Sequence, residues 1–341
     1  MTKPRTLRAK SPADLLAMVP HVLGFHPEDS LVVMTVGDAE HPLHARVDLP
    51  DDQAGMAEVL AQIDQALARN GVRRVAVLTY TDDHCLAFEL VSRLTHLFDA
   101  GGVAVVEAVR ADGERWYSLT GCDGPCCPPG GTPYDVTVHP LTAQGVLEGQ
   151  VTWRNRRELA DSLVGTDLDA VEEVEAAADR ATARFQATVA QPLGGPAPER
   201  ARAHLVVEGR WVRKRVRRYL DDGVPLDSDD AGRLLVAMVS IEVRDVAWSL
   251  MDRSSAARHV SLWRDLVLRS PRDLAAAPAA LLGFAAWLSG DGALAWCAVE
   301  RCQESEPDYR LAALLSEALA AAISPASWRP VPEHLLTLFA G

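Results

Sequence analysis

Between residues 30 and 119 the hydrophobic period of the chain switches again and again, and this switching constrains the fold more than any other feature. Residues 30–36 form an apolar run (Leu31, Val32, Val33, Met34) that reads as a buried strand, and residues 43–49 alternate as an antiparallel partner would. Residues 51–70 then place Met56, Val59, Leu60, Ile63 and Leu67 at helical spacing. A Val-rich strand over 72–80, a helix over 83–100, a strand over 103–109 and a strand over 114–119 follow, the last returning across Ala111-Asp112-Gly113. Ahead of them Ser11, Pro12 and Asp14 mark a helix start: a cap, a first-turn proline and an acid that suits the dipole. Leu15, Leu16, Val19 and Leu23 give that helix an apolar face, and Pro20 is expected to interrupt it. The order α-β-β-α-β-α-β-β requires a mixed sheet with helices packed on it.

The pattern changes after residue 165. A short helix near 142–147 and another over 155–164 lead into a stretch with helical spacing only: 168–189, 203–220, 228–239, 242–252, 256–269, 278–289, 292–304 and 309–321, with a Pro/Gly break at 191–198. The fold class expected is α+β. Residues 1–165 form an α/β domain with a mixed β-sheet and flanking helices, and residues 166–341 form an all-α bundle of helical hairpins or a short repeat array. Leu282, Gly283, Ala295, Val299, Cys302 and Pro307 fall at the spacing of a tetratricopeptide-like helix pair, and Pro271, 36 residues before Pro307, ends a fainter copy. An irregular bundle fits the same residues.

With 341 residues, 48% hydrophobic and 24% charged, the chain suits two soluble domains. No apolar run approaches the ~20 residues that cross a bilayer. The first ten residues are polar and basic without an apolar core behind them, so the expectation is a cytoplasmic protein with reduced cysteines. A net charge of −13 argues against broad binding to nucleic acid or anionic membranes. No Gly-x-Gly-x-x-Gly follows the first strand and no Gly-x-x-x-x-Gly-Lys occurs, so the usual phosphate cradles are missing and no cofactor is expected.

Three segments offer chemistry. Three of the six cysteines, Cys122, Cys126 and Cys127, lie within six residues among prolines and glycines. Structural zinc needs four tetrahedral ligands, and the adjacent Cys126-Cys127 pair suits one ion badly; His139 is the fourth candidate for a weak metal set. The plainer reading is a rigid loop that closes the first domain with its thiols packed as small apolar groups. The turn Gly24-Phe25-His26-Pro27-Glu28-Asp29-Ser30 supplies His26, Asp29 and Ser30 as ligand contacts or as ordinary turn caps. Arg46 and Asp48 on the next strand, Trp116 before the Cys-Pro loop, and Cys126, Cys127 and Tyr134 within and after it complete a candidate ligand cleft. Last, Arg210, Arg213, Lys214, Arg215, Arg217 and Arg218 place six positive charges in nine residues, an anion-binding pattern unless the chain's own acids pair with them.

Several blocks together resemble the actinobacterial DUF4192 family, a domain of unknown function. They are Ser11-Pro12-Ala13-Asp14-Leu15-Leu16 with Pro20, Leu23-Gly24-Phe25-His26-Pro27 and Asp29-Ser30-Leu31-Val32; Arg46-Val47-Asp48-Leu49-Pro50; and Cys126-Cys127-Pro128-Pro129 with Gly131-Thr132-Pro133-Tyr134-Asp135. Ala285-Ala286-Trp287-Leu288 and Gly290-Asp291-Gly292-Ala293-Leu294-Ala295 resemble that family's helical half. The resemblance covers nearly the whole chain and implies a cytosolic protein, but it carries no reaction, cofactor or catalytic residue. The leading functional reading is therefore a non-catalytic binding or scaffold protein, its helical domain holding a protein partner and its α/β domain a possible small ligand. One alternative is an enzyme with a site between the His26 turn and the loop at Cys122, Cys126 and Cys127. The other is an anion or nucleic-acid module at residues 210–218.

Overall fold

The computed structural model describes residues 9–37, 43–120, 129–147, 151–190 and 196–339. The chain separates into two compact units, Met1–Leu159 with Ala320–Ser324, and Ala160–Leu319 with Pro325–Gly341.

The first unit runs α1 (Pro12–Leu23), β1 (Ser30–Thr35), β2 (His44–Asp48), α2 (Gln53–Arg69), β3 (Arg74–Tyr80), α3 (His84–Ala100), β4 (Ala104–Ala111), β5 (Arg115–Ser118), β6 (Thr132–Pro133) and α4 (Pro140–Leu147). The sheet order is β2-β1-β3-β4-β5-β6. Among the described strands only β3 and β4 pair in parallel, joined through α3; the other strand pairs are antiparallel. The α+β class with a mixed sheet is thus what the alternating periods imply. Side-chain caps start the helices: Ser11 accepts from the Asp14 N–H at 3.2 Å, Asp52 from Gly55 at 2.8 Å and Asp83 from Leu86 at 2.9 Å, each worth about 1 kcal/mol.

On one sheet face Leu31, Val33, Val75, Val77 and Ala108 pack against Met56, Ile63 and Leu67 of α2 and Leu90, Val91, Leu94 and Phe98 of α3. An extra residue, Val106, interrupts the β3–β4 register, where Val75 faces Val105 but Ala76 faces Glu107. Side chains in a strand alternate with period 2, so this bulge lets Val105 and Ala108, an odd number of residues apart, pack on the same face. Alternation puts Leu78 and Tyr80 on the other face. Pro20 lies inside α1 and does not stop it. The helix continues to Leu23, Gly24 caps it at φ 76, and the Gly24 N–H closes on the Pro20 carbonyl. A proline in the last turn loses one bond only.

The second unit is helical: α6 (Leu168–Ala190), α7 (Ala197–Asp222), α8 (Ser228–Ala237), α9 (Ile241–Ser249), α10 (Ala256–Arg269), α11 (Ala276–Ser289), α12 (Gly292–Ser305) and α13 (Arg310–Ala320), with α5 (Arg156–Asp161) where the two units meet in sequence. Helix α7 begins six residues before the periodicity suggests. Pro196 and Pro198 sit at its cap and in its first turn, where a missing N–H costs nothing. Every residue of α11 from Ala276 to Leu288 is buried. It forms a close hairpin with α12: a Cβ on Gly283 would lie 3.2 Å from the Ala295 carbonyl oxygen. The small residues at the suggested repeat spacing therefore do let two helices approach, as they do where Gly232 of α8 abuts Ala177 and Ala178 of α6.

His259 of α10 has no exposed surface, and its Nδ1 accepts from the Trp263 indole at 3.2 Å. Burial pulls its pKa from 6.5 to about 4, against the weaker opposing effects of the Leu250 carbonyl and the Asp252 charge. The folded state therefore holds His259 neutral while the unfolded chain protonates it near pH 6.5. Stability from this group is complete above about 6.5 and is lost as the pH falls towards about 4, to a limit of about 3 kcal/mol. His259→Gln keeps an acceptor for Trp263 but cannot titrate. Urea unfolding at a series of pH values should show a shallower loss of stability across that window for the variant than for the parent chain. Parallel curves would exclude His259 as the source.

Candidate functional site

A cleft of about 800 Å³ opens in the first unit where several chain segments end at one edge of the sheet. Because β3 and β4 are parallel, both carboxyl ends point to that edge and deliver Tyr80, Thr81 and Asp82 after β3 and Asp112 after β4. Because β1 runs antiparallel to β3, with Ser30 opposite Tyr80, the turn before β1 arrives at the same place with His26, Pro27, Glu28 and Asp29. The β4–β5 hairpin adds Gly113 and Glu114, the segment after β6 adds Tyr134 to Thr137, and α1 supplies Leu16 and Pro20. Ligand sites in open α/β sheets form in this position, beyond the carboxyl ends of parallel strands.

Backbone bonds fix the walls. His26 donates its N–H to Trp153 at 3.0 Å, and Trp153 donates to Gly24 at 2.8 Å. Asp29 adopts φ 42, and its carbonyl accepts from Leu49 at 3.0 Å. Arg110 is 6% exposed; its guanidinium donates to the carbonyls of Thr81 (3.1 Å) and Asp82 (3.3 Å) and lies 3.9 Å over the Tyr117 ring. Asp112 accepts from the N–H groups of Glu114 (3.1 Å) and Arg115 (2.7 Å). Burial works to raise its pKa, but those bonds, Tyr117 and the Arg110 charge outweigh burial and hold it low. Gly131, at φ 70, would put a Cβ 2.6 Å from the Tyr117 ring, so only glycine lets the strand that follows lie this close.

The cleft holds titratable groups in defined states. Burial and the His21 charge push the His26 pKa down, with Glu28 opposing, so the imidazole is neutral at pH 7. Burial and the Asp112 charge raise Tyr134. Burial, then Tyr134, raises Tyr80 well above the usual phenol value. The Tyr80 hydroxyl is fully enclosed and meets no hydrogen-bond partner among the described residues.

Of the residues read from sequence as a ligand cleft, His26, Asp29 and Tyr134 line it together. Ser30, Arg46 and Asp48 do not. They form a brace behind the turn, in which buried Ser30 donates to the Glu28 carbonyl at 2.5 Å and accepts from Arg46 Nε at 2.8 Å, while Arg46 pairs with Asp48 at 2.7 Å. Its one proton committed, Ser30 holds the turn rather than facing His26. Trp116 is buried at 7% exposure in β5, away from the lining. Cys122, Cys126 and Cys127 lie outside the described residues. His139 pairs with Asp14 of α1 at 3.2 Å. Among the described residues no cluster of three or more His, Cys, Asp or Glu could hold a metal ion, and no helix is long and apolar enough to cross a membrane. Tyr80, Asp82, Asp112 and Glu114 are the lining residues that motif reading passes over. Their signal was positional, since each follows or joins a strand that the alternation already marks.

This is an α+β protein with a polar cleft at the carboxyl edge of a mixed sheet and a helical unit. Residues 12–326 match the family described as a domain of unknown function, DUF4192, and the chain belongs to that family. No curated protein and no solved structure matches it.

A buried hydroxyl without a partner costs roughly 1–3 kcal/mol. Tyr80→Phe removes that group and keeps the ring. The variant should unfold at an equal or higher denaturant concentration, a gain of up to about 1 kcal/mol. A clear loss of stability in chemical denaturation would mean that the hydroxyl is satisfied in the folded protein.

Proposed function

We propose that this chain is a binding protein whose α/β unit holds a small polar ligand in the cleft at the β3–β4 edge and whose helical unit serves a protein partner. The observation that carries the first part is the cleft itself, where separate turns and strand ends gather His26, Asp29, Asp82, Asp112 and Tyr134 beyond the carboxyl ends of the parallel pair β3–β4. The cleft's volume falls in the range of small-molecule sites. The partner reading leans on Val239 and Ile241, exposed apolar residues on either side of Ser240 where α9 begins, with 68% and 60% of their surface free.

Glu114 lines the cleft, is exposed, and has no side-chain partner among the described residues, so Glu114→Trp fills the space at little cost to the fold. Ligand-observed NMR on the full chain, with a panel of small amines, sugars and carboxylic acids, should find at least one class that binds the parent and not Glu114→Trp. If no compound shows binding that depends on the cleft, the reading is wrong.

A second reading has its own support. On α7, Arg215 pairs with Asp230 (2.6 Å), Arg218 with Asp222 (3.2 Å) and Arg213 with Glu333. Arg210, Lys214 and Arg217 are exposed along the same helix with no ion-pair partner among the described residues. Burial and the charges of Arg217 and Arg210 pull the Arg213 pKa down, a sign of crowded like charge. Anion binding would relieve that crowding. A labelled single-stranded oligonucleotide, followed by fluorescence anisotropy, would bind at low salt with a log–log salt slope of about −2 if three phosphates are neutralised. Replacing Arg210, Lys214 and Arg217 with Ala should remove that binding. No anisotropy change even at low salt excludes this reading.

A further inference from the structure

We infer that a second copy of this chain docks on β2, the outer edges of the two strands pairing antiparallel about a two-fold axis at Val47. β2 ends the sheet, and among the described residues nothing pairs with its outer side. The bonds to β1 fix which groups it presents there. Thr35 donates to the Leu43 carbonyl and Leu49 to the Asp29 carbonyl, both at 3.0 Å. Bonded pairs alternate along an antiparallel ladder, so Leu43, Ala45, Val47 and Leu49 turn their backbone groups to β1. His44, Arg46 and Asp48 turn theirs outwards. The side chains divide the same way. Val47 stands opposite the core residue Leu31, and Leu43, Val47 and Leu49 are only half-buried against that core. Arg46 and Asp48 lie on the other face, with 83% of the Asp48 side chain free.

Charge on an edge strand usually discourages pairing. Here it selects one register. A closed pair of identical strands is symmetric, so one point of β2 must meet itself. Centred on Arg46, two guanidinium groups would be opposed; centred on Asp48, two carboxylates would be. Centred on His44 or Ala45, Asp48 would run past the start of the facing strand. Centred on Val47, Arg46 of each copy faces Asp48 of the other, and opposite charges directly across a strand pair attract. These are outward-turned residues, so they also exchange backbone bonds on both sides of the axis. Each strand already holds Arg46 against Asp48 at 2.7 Å, and a carboxylate accepts more than one donor, so the four charges form an alternating ladder. On the core face Val47 meets Val47 and Ala45 meets Leu49, which covers the half-buried apolar stripe. Pro50, which has no N–H to give, falls opposite His44 of the second copy and ends the ladder. Backbone, charge and apolar surface are thus satisfied by the same register.

Analytical ultracentrifugation of the full chain should show a monomer–dimer equilibrium. Asp48→Lys sets a lysine against Arg46 across the axis and should raise the dimer dissociation constant by about tenfold or more. Val47→Cys brings two thiols to the axis, where the Cα atoms of a non-bonded antiparallel pair lie about 4.5 Å apart. Mild oxidation should then link two chains, a product that the parent chain's own cysteines should not give under the same conditions. Ala45→Cys is the register control, because its two copies would lie at least about 13 Å apart, beyond the reach of a disulfide. A chain that sediments as a monomer at every concentration overturns the inference. So does a dimer that survives Asp48→Lys and fails to link at Val47→Cys, since its interface lies elsewhere. Linking at Ala45→Cys in place of Val47→Cys overturns the register. If Asp48→Lys fails to fold, the two cysteine variants decide alone.

Discussion

The parallel pairing of β3 with β4 is the constraint on which the first unit's site depends. In a sheet of antiparallel hairpins, strand ends alternate between the two edges, and turns are divided between them. The crossover through α3 breaks that alternation once and brings two carboxyl ends to one edge. Antiparallel β1 then brings its amino end to the same edge, and the β4–β5 hairpin turns back there. The Val106 bulge sets the parity of β4, so that Ala108 joins the core beneath α2 and α3. The cleft therefore follows from strand direction and register, and its side chains are those that strand ends happen to present.

Hydrophobic period shows the strands and helices that build this edge, because burial on one face or all round leaves a trace in local sequence. The antiparallel return of residues 43–49 and the mixed sheet are legible for that reason. Pro20 and the Pro196/Pro198 pair mislead because a proline's effect depends on its place within the helix: costly in the middle, nearly free in a first or last turn. The site is legible only in part. His26, Asp29 and Tyr134 stand in residue clusters dense with polar and aromatic groups, which draw attention on any reading. Tyr80, at the end of a plain Val-rich strand, and Asp82, two residues beyond it, become informative only when register places Tyr80 opposite Ser30 and beside Ala111.

The same register explains why Ser30, Arg46 and Asp48 looked like site residues without being so. Ser30 and Asp48 are directly opposed across β1 and β2, and Arg46 reaches back to the Ser30 hydroxyl. Cross-strand pairing satisfies all three with one another and with the Glu28 carbonyl. Polar residues on a strand can serve a ligand only if the sheet leaves them a free donor or acceptor. Here the brace uses those groups to hold the turn, and holding the turn keeps Asp29 in its left-handed conformation with its carbonyl on Leu49.

The cleft and α7 thus differ in how charge is disposed, though each collects one sign. On α7 three of the six cations are matched by acids of the same unit, so much of the charge density seen in sequence is internal pairing. Around the cleft, four of six carboxylates meet no partner among the described residues, and the one buried arginine nearby is committed to carbonyls and an aromatic face. Sequence alone shows the basic run because it is contiguous, and hides the acidic cleft because its members are scattered over more than a hundred residues. Local charge density is therefore a poor guide to where this fold leaves charge uncompensated, and strand register is the better one.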